Sequence, residues 1–128
     1  MATGLENLKI YKMAASLEME VFNLVKVFPK DERFRSIDQL LRSSSSVTNN
    51  IAESYSKRSV KDKIRILRDI VKGEAQETKS NIEMCLKKGY HTDNSICEKY
   101  TELLKAVSGY IRFLSISETN LTTNKLSN

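Results

Sequence analysis

Between Ser36 and Ser59 the chain has neither glycine nor proline, yet its middle reads Arg42-Ser43-Ser44-Ser45-Ser46-Val47-Thr48-Asn49-Asn50. Four serines followed by Thr-Asn-Asn would ordinarily mark a break. Helical spacing gives a different result. Leu40, Ser44, Val47 and Ile51 recur at i, i+4, i+7 and i+11, and Gln39, Ser43, Ser46, Asn50 and Glu53 form a polar stripe beside them. The stretch is therefore predicted to be a helix with one face of small, hydrogen-bonding side chains. Small side chains let a neighbouring helix approach closely. Whatever part of the polar stripe becomes buried has to be bonded, since an unpaired buried polar group costs about 1–3 kcal/mol.

The remaining chain supplies the neighbours. It has 128 residues, one proline and four glycines, so it reads as one domain with few breaks. Helices are predicted over about residues 5–27, 36–57, 60–88 and 93–116. The first carries Ile10, Ala14, Leu17, Val21, Leu24 and Phe28 on one stripe and ends at Pro29. Ser36, with Gln39 at capping-box spacing, is the expected N-cap of the second. Ser59 caps the third, with Asp62 in its first turn. The third helix has its main apolar line along Val60, Ile64, Leu67, Val71, Ala75, Thr78, Ile82 and Leu86, and Gly89 stops it. The fourth places Ile96, Tyr100, Leu103, Val107, Tyr110 and Leu114 on one face. Residues 118–128 are polar and aperiodic and read as a disordered tail. No segment alternates with period two. The expected fold is all-α, an antiparallel up-down-up-down four-helix bundle over residues 1–117.

One bundle core needs one stripe per helix, and two helices have more. Leu8, Tyr11 and Phe22 lie off the main stripe of the first, and Ile66, Ile70 and Gly73 off that of the third. These are candidate subunit contacts in a homo-oligomer. The polar stripe Gln39, Arg42, Ser46, Asn50 and Glu53 is assigned a structural role in locking helices, with Arg42 and Glu53 as partners across a helix pair.

Charge is distributed unevenly. From Ser54 to Gly73 there are seven basic and two acidic residues, a net +5 that equals the excess of the whole chain. Lys57, Arg58, Lys61, Arg65, Arg68 and Lys72 are the candidate nucleic-acid contacts. No aromatic residue interleaves with them, so backbone contacts with little sequence preference are expected. Catalysis finds little support. His91, the one histidine, sits beside a predicted turn and is expected to be solvated. No Glu-x-x-His pair, P-loop or base-activated serine is present, and no cofactor or metal is implied. Cys85 and Cys97 lack metal or redox spacing and read as reduced thiols. The start of the chain has no secretion-signal pattern, and no apolar run spans a bilayer, so a cytoplasmic protein without a membrane partner is expected.

Several motifs fall together in order: Phe28-Pro29-x-x-Glu32-Arg33-Phe34, then Gln39-Leu40-x-Arg42-Ser43-Ser44-x-Ser46-Val47-x-x-Asn50-Ile51-Ala52-Glu53, then Leu67-x-x-Ile70-x-x-Gly73-Glu74-Ala75-x-Glu77-Thr78 and Gly89-Tyr90. In these the chain resembles the bacterial four-helix-bundle proteins encoded within intervening sequences of 23S ribosomal RNA genes. The resemblance implies a ring-like homopentamer. It also implies kinship with the accessory variability proteins of diversity-generating retroelements, basic pentamers that bind nucleic acid and a reverse transcriptase. Ser54 stands where that family commonly has glycine, and Glu74 where it has serine. The expected activity is non-enzymatic: binding of RNA or DNA backbone through basic helix faces. The alternative is a protein-binding accessory subunit, for example of a reverse transcriptase.

Overall fold

The computed structural model describes the backbone of residues 4–127 and the side chains of residues 4–119. Every regular element in it is helical, and no strand occurs among the described residues. After a short 3-10 turn (Leu5–Asn7) come α1 (Lys9–Leu24), α2 (Asp38–Ser56), α3 (Val60–Ile66), α4 (Lys72–Lys87) and α5 (Ser95–Ser127). A π turn, Leu67–Val71, joins α3 to α4 in one continuous rod. The chain is thus four helical rods. α1 packs on α2 and α5, and α4 packs on the same two.

Helix boundaries follow local chemistry. The Ser59 hydroxyl accepts from the Asp62 N–H at 3.1 Å, the cap expected for α3. α4 ends in a Schellman turn. Tyr90 N–H donates to the Cys85 carbonyl and Gly89 N–H to that of Leu86, each at 3.0 Å. Gly89 has φ +81°, a conformation costly for any residue with a Cβ. Two expected ends are different. Ser36 is not an N-cap: it is buried two residues before α2, and its N–H donates to the Glu32 carboxylate at 3.4 Å. The chain breaks at Arg35 (φ −123°, ψ −106°), so α2 starts at Asp38 without a side-chain cap. α5 does not stop near residue 116 but runs helically to Ser127. No glycine or proline follows Gly109 to end it, and the polar segment expected to be disordered is helical backbone through Ser127. Residue 128 lies outside the described residues.

The core collects Ile10, Ala14, Leu17 and Val21 from α1, with Leu40, Val47 and Ile51 from α2. The α3–α4 rod adds Ile66, Leu67, Val71, Ala75 and Ile82, and α5 adds Tyr100, Leu103 and Val107. Ile66 is a correction, since it was expected on a subunit face and is 3% exposed. The π turn explains it. One extra residue in a turn rotates the helix before it by about 100° relative to the helix after it. Neighbouring Ile66 and Leu67 therefore both face the core. The other off-stripe residues divide. Leu8 and Tyr11 are half-buried against the core, whereas Phe22, Ile70 and Gly73 are exposed. A Cβ added at Gly73 would meet nothing within 4 Å, so none of the described residues closes on it.

The serine-rich face is folded back on its own helix. Ser44 Oγ donates to the Leu40 carbonyl at 2.7 Å, Thr48 Oγ1 to that of Ser44 at 3.4 Å, and Ser54 Oγ to that of Ile51 at 2.7 Å. These bonds satisfy buried hydroxyls without a second helix. Across the α2–α4 seam the hydroxyls of Ser43 and Thr78 are bonded at 2.7 Å. His91 is a further correction, being 6% exposed rather than solvated. Asp93 N–H donates to Nδ1 at 3.1 Å, so Nε2 carries the proton and donates to the Ile82 carbonyl at 3.0 Å. The ring stacks on Phe28, centroids 5.8 Å apart. Cys85 and Cys97 are free and buried, and burial pushes both thiols up, which keeps them protonated.

Candidate functional site

The six basic candidates do not form one equivalent line. Lys57 ends α2 and pairs with Glu53 at 3.5 Å, one turn back. Arg65 lies 4.0 Å from Asp62, and Arg68 donates to Asp69 at 3.0 Å. The Arg68 contact holds the Asp69 carboxyl below its ordinary range, and Asp69 raises Arg68 in turn. Arg58, Lys61 and Lys72 form no ion pair among the described residues. Lys63, from the same run, is used internally. Its ammonium donates to the Tyr55 carbonyl at 2.8 Å and to that of Ser54 at 3.4 Å, where α2 leaves its last carbonyls open. The π turn also separates the candidates: Lys61 and Arg65 precede it, Arg68 lies in it, and Lys72 comes after it.

Lys72 has other neighbours. It lines a groove of about 550 Å3 between α4 and α5 together with Gln76, Lys79, Lys105, Ser108 and Arg112. Lys105 and Arg112 were not among the sequence candidates. Each is an isolated cation on its own helix, and only the packing of α5 on α4 brings them to the same groove as Lys72 and Lys79. The one available signal is spacing: each pair is seven residues apart, which is two helical turns.

The polar stripe occupies a second concavity, about 380 Å3 between α2 and α4, lined by Gln39, Arg42, Ser43, Ser46, Glu74 and Glu77. Within the chain Arg42 and Glu53 do not pair with each other. Arg42 pairs with Asp38 at 3.6 Å and Glu53 with Lys57, because all four lie on the outer surface of α2 at i, i+4 spacing. Asn50 donates to the carbonyl and hydroxyl of Ser46 at 2.9 and 3.0 Å, and Asn81 Nδ2 reaches Gln39 at 3.5 Å. The stripe is mostly bonded within α2, with two contacts to α4.

Glu32 and Tyr90 form a pair that sequence reasoning treated only as motif residues. The Tyr90 hydroxyl donates to Glu32 Oε1 at 2.8 Å, tying the α1–α2 connection to the turn after α4. That bond holds the Glu32 carboxyl below its ordinary value and raises the Tyr90 hydroxyl. No group of three or more metal-ligating side chains occurs among the described residues. Nor is any helix among them long and apolar enough to cross a membrane.

A family model described as 23S rRNA-intervening sequence protein matches residues 6–112. The chain belongs to this family. A crystal structure of a protein of unknown function from the S23 ribosomal protein family of Bacteroides thetaiotaomicron VPI-5482 is similar, with 28% identity and a TM-score of 0.72. The match covers 80% of this chain and 97% of that one. No curated protein matches the chain. The family match spans all the motif residues from Phe28 to Tyr90, including the Ser43–Thr78 and Glu32–Tyr90 pairs. It also spans the basic groove through Arg112.

Proposed function

We propose that the protein is a non-enzymatic, cytoplasmic, homo-oligomeric up-down-up-down helical bundle that binds the backbone of RNA or DNA through basic helix faces. The observation that carries this reading is the set of cations with spare capacity. Arg58, Lys61 and Lys72 sit on or beside one rod, exposed or half-exposed, with no carboxylate claiming them among the described residues. Arg65 and Arg68 add exposed charge whose ion pairs are worth little in water. Assembly into a ring, as the family resemblance implies, repeats the patch and turns weak phosphate contacts into avid, salt-dependent binding. Exposed Phe22, Ile70 and Gly73 support self-association. So does an apolar groove lined by Met19, Phe22 and Leu41.

A mobility-shift titration with structured RNA at two salt concentrations tests the binding. The apparent affinity is expected to fall steeply with salt, and Lys61→Glu with Arg65→Glu to weaken it at least tenfold. No binding at low salt, or no effect of the reversals, overturns the reading. An accessory-subunit role, for instance beside a reverse transcriptase, rests on the resemblance alone and becomes the better reading if RNA is not bound. Light scattering tests assembly, and a strict monomer at high concentration removes the avidity argument.

A further inference from the structure

We infer that the groove between α4 and α5 is a seat for the sugar-phosphate backbone of a single nucleic-acid strand, held by Lys72, Lys79, Lys105 and Arg112. The assignment rests on the proposed function and adds to it a contact surface that α3 does not share.

The groove differs from a solvated charged face in three respects. Its cations come from two helices and face one concavity of about 550 Å3. No aspartate or glutamate lines it. The carboxylates nearest to its lysines, Glu83 at 3.8 Å from Lys79 and Glu102 at 3.6 Å from Lys105, are long contacts within the same helix. Lys72 and Arg112 form no ion pair among the described residues. A phosphate entering the groove therefore replaces weak surface pairs or none.

The spacing suits a linear polyanion. Lys72 to Lys79 and Lys105 to Arg112 are each seven residues, about 10 Å along a helix. A nucleic-acid strand carries a phosphate at every nucleotide, so cations that far apart can meet different phosphates of one strand. Gln76 lies between Lys72 and Lys79, and Ser108 between Lys105 and Arg112, as neutral hydrogen-bonding groups. Gly109 leaves one point of the wall low, since a Cβ built there would meet nothing within 4 Å. The α2–α4 concavity lacks this character. Glu74 and Glu77 line it and outnumber its one cation, Arg42.

Fluorescence anisotropy with a labelled single-stranded RNA tests the groove. Lys105→Glu combined with Arg112→Glu is expected to weaken binding at least tenfold. The slope of log affinity against log salt should become shallower by about 1–2, as two phosphate contacts are lost. The charge-conserving pair Lys105→Arg and Arg112→Lys should bind within a fewfold of the native protein. Circular dichroism confirms that each variant is folded. Amine acylation of the native protein needs no variant: RNA should protect Lys72, Lys79 and Lys105 while leaving Lys9 and Lys12 reactive. If RNA binds but the reversal pair binds equally well, or the groove lysines gain no protection, the groove assignment is overturned and the α3 face stands. If the native protein binds structured RNA but not the single strand, the groove assignment alone is overturned; if it binds neither, both fall together.

Discussion

The α4 rod meets α2 on one side and α5 on the other, and both seams are polar, but in opposite senses. At the α2–α4 seam the polar groups are consumed. Ser43 and Thr78 bond each other across it, and Asn81 reaches Gln39. At the α4–α5 seam the polar groups have capacity to spare, because four cations share a groove without a lining carboxylate. The difference separates two meanings of a polar stripe. Hydrogen bonds completed within the fold fix how helices pack. Uncompensated charge in a concavity is available to something outside it.

If the α2–α4 seam holds the fold, its apolar members should dominate stability. Leu40 is fully buried, and Leu40→Ala is expected to cost about 2–5 kcal/mol from lost transfer energy and the cavity left behind. Urea unfolding followed by circular dichroism measures it. A cost under about 1 kcal/mol would mean that the site collapses freely and the seam is not a core.

The next largest effect sharpens the comparison at a single bond. Thr78→Val keeps the shape but removes one hydroxyl of the Ser43–Thr78 pair, which is buried at both ends. The stranded Ser43 hydroxyl should cost about 1–3 kcal/mol in the same measurement. Reversing an exposed groove charge such as Lys105 should change stability by no more than about 0.5 kcal/mol. If Lys105→Glu destabilises more than Thr78→Val, the division between structural and available polar groups is wrong.

How much of this was legible in the sequence depends on whether the signal lives on one helix. The helix through Ser43–Ser46 was legible because period is a property of a single segment, and the same holds for the Ser59 cap and the Gly89 stop. The π turn was not. Ile66, Leu67, Ile70 and Val71 present apolar residues in either register, so an inserted residue leaves the pattern plausible and moves Ile66 inward. His91 lies two residues past Gly89 and looked like a loop residue. Its burial comes from Phe28, which is distant in sequence, and from the turn that folds it back onto the Ile82 carbonyl of α4. α5 extends beyond residue 116 because no glycine or proline follows Gly109 to stop it. The α4–α5 groove was half legible. Lys72 stood out in a basic run, but Lys105 and Arg112 acquire meaning only when two helices meet.

Tyr100 lets the comparison be inverted. Its ring is fully buried in the core, and its hydroxyl has no protein hydrogen-bond partner among the described residues. Burial raises the hydroxyl far above its ordinary value, so it stays neutral. Where Thr78→Val should destabilise, Tyr100→Phe should stabilise by about 1 kcal/mol, because it deletes a desolvated group that bonds nothing. Thermal unfolding gives the sign directly. A loss of stability would reveal a partner for that hydroxyl and place Tyr100 with the satisfied seam instead.

The smallest effect belongs to a polar pair in neither seam, Glu32 with Tyr90. The folded carboxyl lies below the ordinary glutamate value of 4.5, chiefly because the Tyr90 hydroxyl donates to the charged form. Its contribution is therefore present above that value and lost as pH falls through the lower, folded one. Tyr90 is shifted the other way. Its hydroxyl lies above the ordinary 10.0, so its contribution is complete below that pH and lost as pH rises through the folded value. Tyr90→Phe should flatten both limbs of the stability–pH curve while leaving RNA affinity at neutral pH unchanged. A variant that keeps the native acid limb would assign that limb to other carboxylates. The Arg68-paired Asp69 and the Ser95-bonded Asp93 are both lowered in the folded chain, and both titrate in the same direction.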